Sequence, residues 1–324
     1  MEVVWGMGKM KNVLLAKQYV DMTDRELSVE ILEDVEAVKI IWTFLSILDC
    51  LIVGDRFLRA FIFNLDNMLS QYTIYTSGDV QPNNPAVQSA DEIYVAINAL
   101  MTNYLTSSKS LVEHMEKSLE HLITKEVAQS FTKDYLSGFH MKFAKLLRNL
   151  SQHSIFPIYT DHNGKYVFDL NHMLDASRFK YHDKATKERL ENLREDVAGR
   201  ENGMPMPYIG IVHTMSIYET ELMKSYLRYM KLLKSELKRA LVEKEEVVKK
   251  NKSMLFRLNG HQALAFIRKD EEQVRTFYPH ENSMRLFSDL EKFAIDKHQS
   301  LIANCKNIEE SYTKIGKLKT DSKF

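Results

Sequence analysis

The fold is decided by residues 93–122, which read IYVAINALMTNYLTSSKSLVEHMEKSLEHL. Apolar residues recur in this stretch at steps of three, four and seven, the spacing of one face of an α-helix. They are Ile93, Ile97, Leu100, Tyr104, Leu111, Met115 and Leu122. Since Ser107 and Ser108 interrupt this stripe without ending it, we predict one long amphipathic helix from about residue 89.

A second apolar stripe follows almost at once. It consists of Val127, Phe131, Tyr135, Phe139, Phe143, Leu146 and Leu150. The link between the two stripes, around Thr124 and Lys125, is short. Helices that are joined by a short link lie antiparallel as neighbours in helical bundles. We therefore predict a second long helix that lies antiparallel to the first.

The composition supports a helical protein. The 324 residues include only 11 glycines and 6 prolines, whereas residues with high helix propensity are plentiful. The 44 basic and 44 acidic residues cancel, so a site for a polyanion has to be a local patch. Cys50 and Cys305 stand far apart without the spacing of a metal site or a disulfide framework, which fits a reducing cytoplasm.

The most apolar run, Ile40–Phe63, contains four charged residues. They are Asp49, Asp55, Arg56 and Arg59. A charge at bilayer depth costs about 2.5–3.5 kcal/mol on insertion scales, so we interpret the run as core helices, not as a membrane span. The N-terminal residues lack the basic-then-apolar order of a signal peptide, and we expect a cytoplasmic protein without membrane contact.

The predicted fold is all-α, a helical bundle of long antiparallel helices with one small β-hairpin insertion. Three regions are predicted: an N-terminal helical region at 1–85, a bundle at 86–250 with the hairpin at 155–169, and a C-terminal helical region at 251–324. Turn residues at 77–85 set the first boundary, and Asn163-Gly164 suits the hairpin turn. The other predicted helices begin at Thr23 and run to Leu32, then cover Val35–Val53, Arg56–Tyr72 with Gly54 as the break, Tyr208–Lys250, Gln262–Phe277 and Asn282–Tyr312.

The candidate site is Arg148-Asn149-Leu150-Ser151-Gln152-His153, at the end of the second stripe. In a helix, Asn149 and His153 share a face, and Arg148 lies about 140° and about 7.5 Å from His153, which its long side chain can span. Histidine moves protons near neutral pH, and a guanidinium can clamp phosphate oxygens with two parallel hydrogen bonds. The group therefore suits chemistry on a phosphodiester.

The same spacing occurs again at Arg275 and His280. There Pro279 would break a helix directly before the histidine, and no amide follows the arginine. We interpret the second match as coincidental.

The residues Leu146 to His153 with Phe156-Pro157-Ile158 resemble the signature of the HEPN superfamily, in which an arginine, a polar residue, a short spacer and a histidine end a core helix. Asn98–Leu105 and the segment Pro207-Tyr208-Ile209 before a later helix add to the resemblance, which covers about residues 89–240. It implies a helical bundle, homodimers that bring two Arg/His motifs together, and metal-independent RNA cleavage. By the same resemblance, His153 transfers the proton, Arg148 holds the phosphate and Asn149 orients the group.

The resemblance also implies the partners: RNA, including tRNA, a second copy of the chain, and an antitoxin or defence-system protein if the chain is a toxin or phage-defence effector. No cofactor or metal is expected. The candidate contacts to an RNA backbone are Lys224, Arg228, Lys231, Lys234 and Lys238, on a helix that a solvated face would explain equally. Two alternatives stay open: an inactive HEPN-like module for RNA binding or dimerisation, and an unrelated helical protein-interaction protein.

Overall fold

The computed structural model describes residues 4–6, 13–20, 23–76, 90–152, 156–160, 166–176, 184, 187–188, 190–192, 194, 208–258, 261–267, 274–279 and 283–321. These residues are mostly helical, with small groups of paired strands, so the predicted class of a mainly α-helical protein is confirmed. The predicted boundary at 77–85 and the turn at Asn163-Gly164 lie outside the described residues.

Seven α-helices and nine strands are defined within the described part of the chain. The helices are α1 Val35–Thr76, α2 Ala90–Leu122, α3 Lys125–Tyr135, α4 Phe139–Gln152, α5 Leu170–Ala176, α6 Ile211–Lys250 and α7 Ser283–Asp321. The strands are β1 Val4–Gly6, β2 Val13–Val20, β3 Thr23–Leu32, β4 Tyr159–Thr160, β5 Tyr166–Asp169, β6 Tyr208–Gly210, β7 Phe256–Leu258, β8 His261–Ile267 and β9 Val274–Phe277.

The chain forms two compact units. Unit 1 comprises residues 1–53, 121–123 and 229–291, and unit 2 comprises residues 54–120, 124–228 and 292–324. Each unit draws on segments from all three of the predicted regions, and the division at 85 and 250 stays a prediction. The candidate site belongs to unit 2.

Helix α2 confirms the first predicted helix. Four of its seven stripe residues are 0–1% exposed: Ile97, Tyr104, Leu111 and Met115. The chain then reverses at Thr124, whose hydroxyl accepts a hydrogen bond from the Val127 N–H at 3.3 Å and caps α3. Contacts on either side of the reversal, Glu113 near Arg148 and Asn98 on Ile158, confirm the antiparallel course.

The second predicted helix is divided into α3 and α4 by Leu136–Gly138. Ser137 donates its hydroxyl to the Asp134 carbonyl at 2.7 Å, a local bond that competes with the helical pattern. The next residue, Gly138, also has a low helix propensity. The periodicity of the apolar stripe continues across this break, so it did not reveal the interruption.

The predicted hairpin is confirmed. Strands β4 and β5 pair antiparallel with Tyr159 opposite Val167 and Thr160 opposite Tyr166. A third strand, β6, pairs with β5 and places Phe168 opposite Ile209. The predicted helix from Tyr208 is therefore wrong in its first three residues, which form β6, and α6 begins at Ile211.

Two predicted helices are wrong because the residues form a sheet in unit 1. Thr23–Leu32 is β3, in which Leu27, Val29 and Ile31 alternate with polar residues at the period of a strand. Gln262–Phe277 contains β8 and β9. Residues 263–266 of β8 are all 0% exposed, as expected for a strand with neighbours on both sides.

The sheet has the order β1-β2-β3-β8-β7, and β9 also pairs with β8. Strands β2 and β3 form an antiparallel hairpin that runs from Val13 opposite Glu30 to Val20 opposite Thr23. The pairing of β3 with β8 is parallel, with Ile31 opposite Ala265. Long-range pairing of this kind leaves little trace in the local sequence.

Helix α1 runs continuously through Gly54, so the predicted break there is wrong. A glycine inside a helix costs roughly 1 kcal/mol relative to alanine. Burial of Leu51 and Leu58, both 0% exposed, offsets this cost on either side.

By length and composition alone α1 could cross a membrane: its most apolar window has a mean hydropathy of 1.9 and is 44% buried in the protein. A long core helix passes the same test, so the absence of membrane contact stays a prediction.

Candidate functional site

Helix α4 presents Arg148 and Asn149 at the edge of the core. Its apolar face buries Phe143, Leu147 and Leu150, all 0% exposed, and this leaves the two polar side chains half-buried on its last turn. Arg148 donates from its Nη1 atom to the Asn149 Oδ1 atom at 3.5 Å. The structure therefore brings together two of the three predicted catalytic residues.

The third predicted residue, His153, lies outside the described residues, which end at Gln152 and resume at Phe156. The proximity of His153 to Arg148 and the support of its ring by Asn149 stay predictions. The end of α4 at Gln152 agrees with the expected position of the motif at a helix terminus.

Arg148 lines a cavity of about 170 Å³ in unit 2, formed by residues of α2, α3, α4 and α6. The Arg148 Nε atom is buried and has no hydrogen-bond acceptor among the described residues. Burial lowers the pKa of Arg148, and the nearby Glu113 carboxylate opposes this effect. Because the guanidinium stays protonated in proteins, the wall of the cavity keeps a positive charge at Arg148.

Two kinds of polar side chain line the cavity: charged groups and hydroxyl groups. The charged groups include Lys109 and Glu113, which form an ion pair at 2.8 Å, together with Glu116 and Lys145. With Arg148, these side chains amount to three positive and two negative charges. The charged side chains that line the cavity therefore have one net positive charge, which favours an anionic ligand.

The hydroxyl groups that line the cavity include those of Tyr135, Tyr218 and Ser108. Tyr218 shares hydrogen bonds with both Tyr135 and Ser108. Burial raises the pKa of each tyrosine above 10, and that of Tyr135 far above it. Both phenols are therefore neutral at physiological pH and can donate hydrogen bonds. Thr132 adds a buried Oγ1 atom without a partner in the described part of the chain.

Asn98 fixes the segment that follows the motif. Its side chain is 0% exposed and makes two hydrogen bonds to the backbone of Ile158: Nδ2 donates to the carbonyl at 3.2 Å, and Oδ1 accepts from the N–H at 3.0 Å. Nδ2 also donates to the Tyr94 carbonyl at 3.1 Å. Sequence reasoning included Asn98 in the resemblance but gave it no role; the signal was a single amide inside an apolar stripe.

Replacing Asn98 by leucine is expected to destabilise the protein by about 2–4 kcal/mol, because two buried backbone groups of Ile158 lose their partners at about 1–3 kcal/mol each. Asn103 on the same helix is exposed, so Asn103→Leu is the matched control. Urea unfolding followed by circular dichroism measures both variants. Equal stabilities for the two variants would contradict this role of Asn98.

A second buried polar group lies deeper in unit 2. Glu219 on α6 is 1% exposed and accepts a hydrogen bond from the Tyr104 hydroxyl at 3.4 Å. Burial raises the pKa of Glu219 to about 8, although the Tyr104 hydrogen bond and Lys297 act in the opposite direction. At neutral pH this carboxyl group is mostly protonated. Sequence reasoning predicted the helix that contains Glu219 but missed this residue.

Two of the five residues of the predicted basic surface form ion pairs, and the other three are exposed on α6. Arg228 forms an ion pair with Asp134 at 2.6 Å in unit 2, and Lys234 pairs with Glu291 in unit 1. A phosphate would have to displace these carboxylates. Lys224, Lys231 and Lys238 are exposed on α6. Contact with an RNA backbone stays a prediction for all five residues.

Within the described residues, no group of three or more His, Cys, Asp or Glu side chains could hold a metal ion. Cys50 and Cys305 are not joined in a disulfide. The Cys305 Sγ atom lies 3.3 Å from the Thr220 hydroxyl in unit 2.

Together these features define a mostly helical protein with a small cavity at the end of a core helix, where an arginine–asparagine pair meets buried hydroxyl groups. Comparison with protein-family models, with curated proteins and with solved structures found no match.

Proposed function

We propose that this protein cleaves RNA without a metal ion, as a HEPN-like endoribonuclease whose site combines Arg148, Asn149 and His153. The observation that supports this most is the placement of Arg148, on the last turn of α4 and lining a cavity, with a buried Nε that lacks an acceptor in the described chain. A phosphate group fits a guanidinium in such a position, because charge-assisted hydrogen bonds strengthen away from water.

The reaction is transfer within the RNA strand. The 2′-hydroxyl attacks the adjacent phosphorus, the bond to the 5′-oxygen of the next nucleotide breaks, and a 2′,3′-cyclic phosphate forms. A base has to take the proton of the 2′-hydroxyl, and an acid has to protonate the leaving 5′-oxygen. Arg148 stabilises the charge that develops on the phosphate oxygens.

One histidine cannot accept one proton and supply another in a single step. Two copies of His153, facing each other across a homodimer, divide these tasks between them. This is the reason for proposing a homodimer with a composite site, and light scattering of the purified protein measures the stoichiometry directly.

The biological setting proposed with this activity is the cytoplasm, where the protein would act as a toxin or phage-defence effector with an antitoxin or defence-system protein as its partner. RNA, including tRNA, is the proposed substrate. Lys224, Lys231 and Lys238 are the side chains proposed to approach its backbone.

Incubation of the purified full-length protein with total RNA or tRNA separates the three possible classes. We expect cleavage by the wild-type protein. Binding without cleavage, with an affinity that falls steeply as salt rises, would identify an inactive RNA-binding module. Neither binding nor cleavage would favour a protein-interaction role and overturn the proposal.

A further inference from the structure

A second cavity of unit 2, of about 300 Å³, lies beside the break between α3 and α4. Phe131 and Met141, each 2% exposed, form part of an apolar wall, and Glu221 on α6 faces them. The volume is at the lower end of the range for small-molecule sites, which are mainly apolar with a few polar groups. Arg148 and Asn149 do not line this cavity, whereas Lys224 and Arg228, two of the candidate contacts to an RNA backbone, do.

Glu221 lies directly over the α3–α4 break. A Cβ atom added at Gly138 would be 2.9 Å from Glu221 Oε2 and 3.3 Å from Oε1. The carboxylate therefore occupies space that only a glycine leaves open. Its Oε2 atom is buried and accepts no hydrogen bond from the described residues.

The two serine hydroxyl groups that line the cavity with Glu221 donate their protons to backbone carbonyls. Ser137 donates to the Asp134 carbonyl at 2.7 Å, and Ser225 donates to the Glu221 backbone carbonyl at 3.1 Å. Both serine oxygens line the cavity with lone pairs to spare. These two side chains and the carboxylate therefore form a group of acceptors.

Within the described part of the chain, the positive charges near the cavity form no direct ion pair with Glu221. Arg228 is paired with Asp134 at 2.6 Å. Lys224 is exposed on α6, and its charge opposes the rise that burial causes in the pKa of Glu221. The Glu221 side chain is half-buried, and a buried carboxylate oxygen such as its Oε2 atom is costly without a hydrogen-bond donor. A donor that carries positive charge would satisfy this oxygen.

We propose that this cavity binds a small organic cation with N–H donors, a primary ammonium or a guanidinium group, and that Glu221 is its counter-ion. The terminal torsion of a glutamate side chain is broad, so rotation turns a carboxylate oxygen towards the ligand. Ser137 and Ser225 accept further hydrogen bonds from the ligand, and its apolar part packs on Phe131 and Met141. The proposal is independent of RNA cleavage.

Benzylammonium and benzyl alcohol are suitable probes because they share a shape and differ in charge. Isothermal titration calorimetry of the full-length protein is expected to show binding of benzylammonium and much weaker binding of benzyl alcohol. Glu221→Gln preserves the shape of the side chain and is expected to lower the affinity for benzylammonium by about tenfold or more. Glu246→Gln, at an exposed position of the same helix, is the matched control and is expected to bind normally.

Three results would overturn the proposal: equal binding of the alcohol and the amine, an unchanged affinity in Glu221→Gln, or no binding of benzylammonium to the wild-type protein. Gly138→Ala gives a second check, because a methyl group there displaces the Glu221 carboxylate and is expected to weaken binding. If Glu221→Gln fails to fold, the comparison of amine with alcohol on the wild-type protein decides.

Discussion

Arg148→Ala is expected to lower the rate of RNA cleavage by about 10²–10³-fold, the usual effect of removing one group that stabilises charge in the transition state. Arg148→Lys should restore only part of this loss, since lysine cannot make two parallel hydrogen bonds to a phosphate. His153→Ala should reduce cleavage at least as strongly because it removes the proton-transfer group. A cleavage assay with end-labelled RNA measures all three rates.

The second Arg/His spacing in the chain supplies the matched control. Arg275 stacks on the Trp42 ring, with its guanidinium carbon 4.5 Å from the ring centroid in unit 1, and His280 lies outside the described residues. Arg275→Ala and His280→Ala are expected to leave cleavage unchanged. Wild-type cleavage by Arg148→Ala, or an equal loss in the Arg148 and Arg275 variants, would contradict the assignment of the site.

Glu219→Gln is expected to have the largest effect on stability, and this effect should depend on pH. The pKa of Glu219 is about 8 in the folded protein and 4.5 for an ordinary glutamate. Between these values the folded state holds a proton that the unfolded state has lost. The wild-type protein therefore loses stability as pH rises through this window, with a full cost on the order of 5 kcal/mol above it.

The glutamine variant does not titrate at this position, and its amide oxygen can still accept from the Tyr104 hydroxyl. Its stability relative to the wild type should rise between about pH 5 and about pH 9. Urea unfolding across this range measures the difference. Glu120→Gln, at an exposed position on α2, is the control. A difference between Glu219→Gln and the wild type that stays constant with pH would contradict the burial of an uncharged carboxyl group.

The elements that could be predicted are those whose signals are local. The stripe from Ile93 to Leu122 follows the helical period, and it forms α2. The strands β4 and β5 lie on either side of the predicted Asn-Gly turn. In both cases, residues close in sequence determine the structure.

The errors occurred where two local signals competed or where distant strands pair. A helix was predicted from Thr23, but the alternation of Leu27, Val29 and Ile31 fits a strand, and pairing with β2 and β8 supports it. The apolar run in β8 reads equally as a helix or a strand by periodicity. Only its position between other strands resolves this ambiguity.

The candidate site likewise contains residues that local sequence predicted and residues that it did not. Arg148 and Asn149 were predicted at a helix end, and the structure places them there, side by side. The residues that complete the cavity come from other helices, and Tyr218 was predicted only as part of the long helix from Tyr208. Glu219 and Glu221 looked like ordinary acidic residues of an amphipathic helix. Their surroundings include neighbours such as Tyr104 and Gly138, which are distant in sequence.

The most direct test of RNA cleavage by Arg148 and His153 is the chemistry of the product ends. Purified protein would be incubated with tRNA in excess EDTA, and the fragments would be examined by mass spectrometry. We expect 2′,3′-cyclic phosphates together with 5′-hydroxyl ends, and their loss in His153→Ala. Fragments with 3′-hydroxyl and 5′-phosphate ends, cleavage that stops in EDTA, or cleavage that survives in His153→Ala would contradict the proposed function.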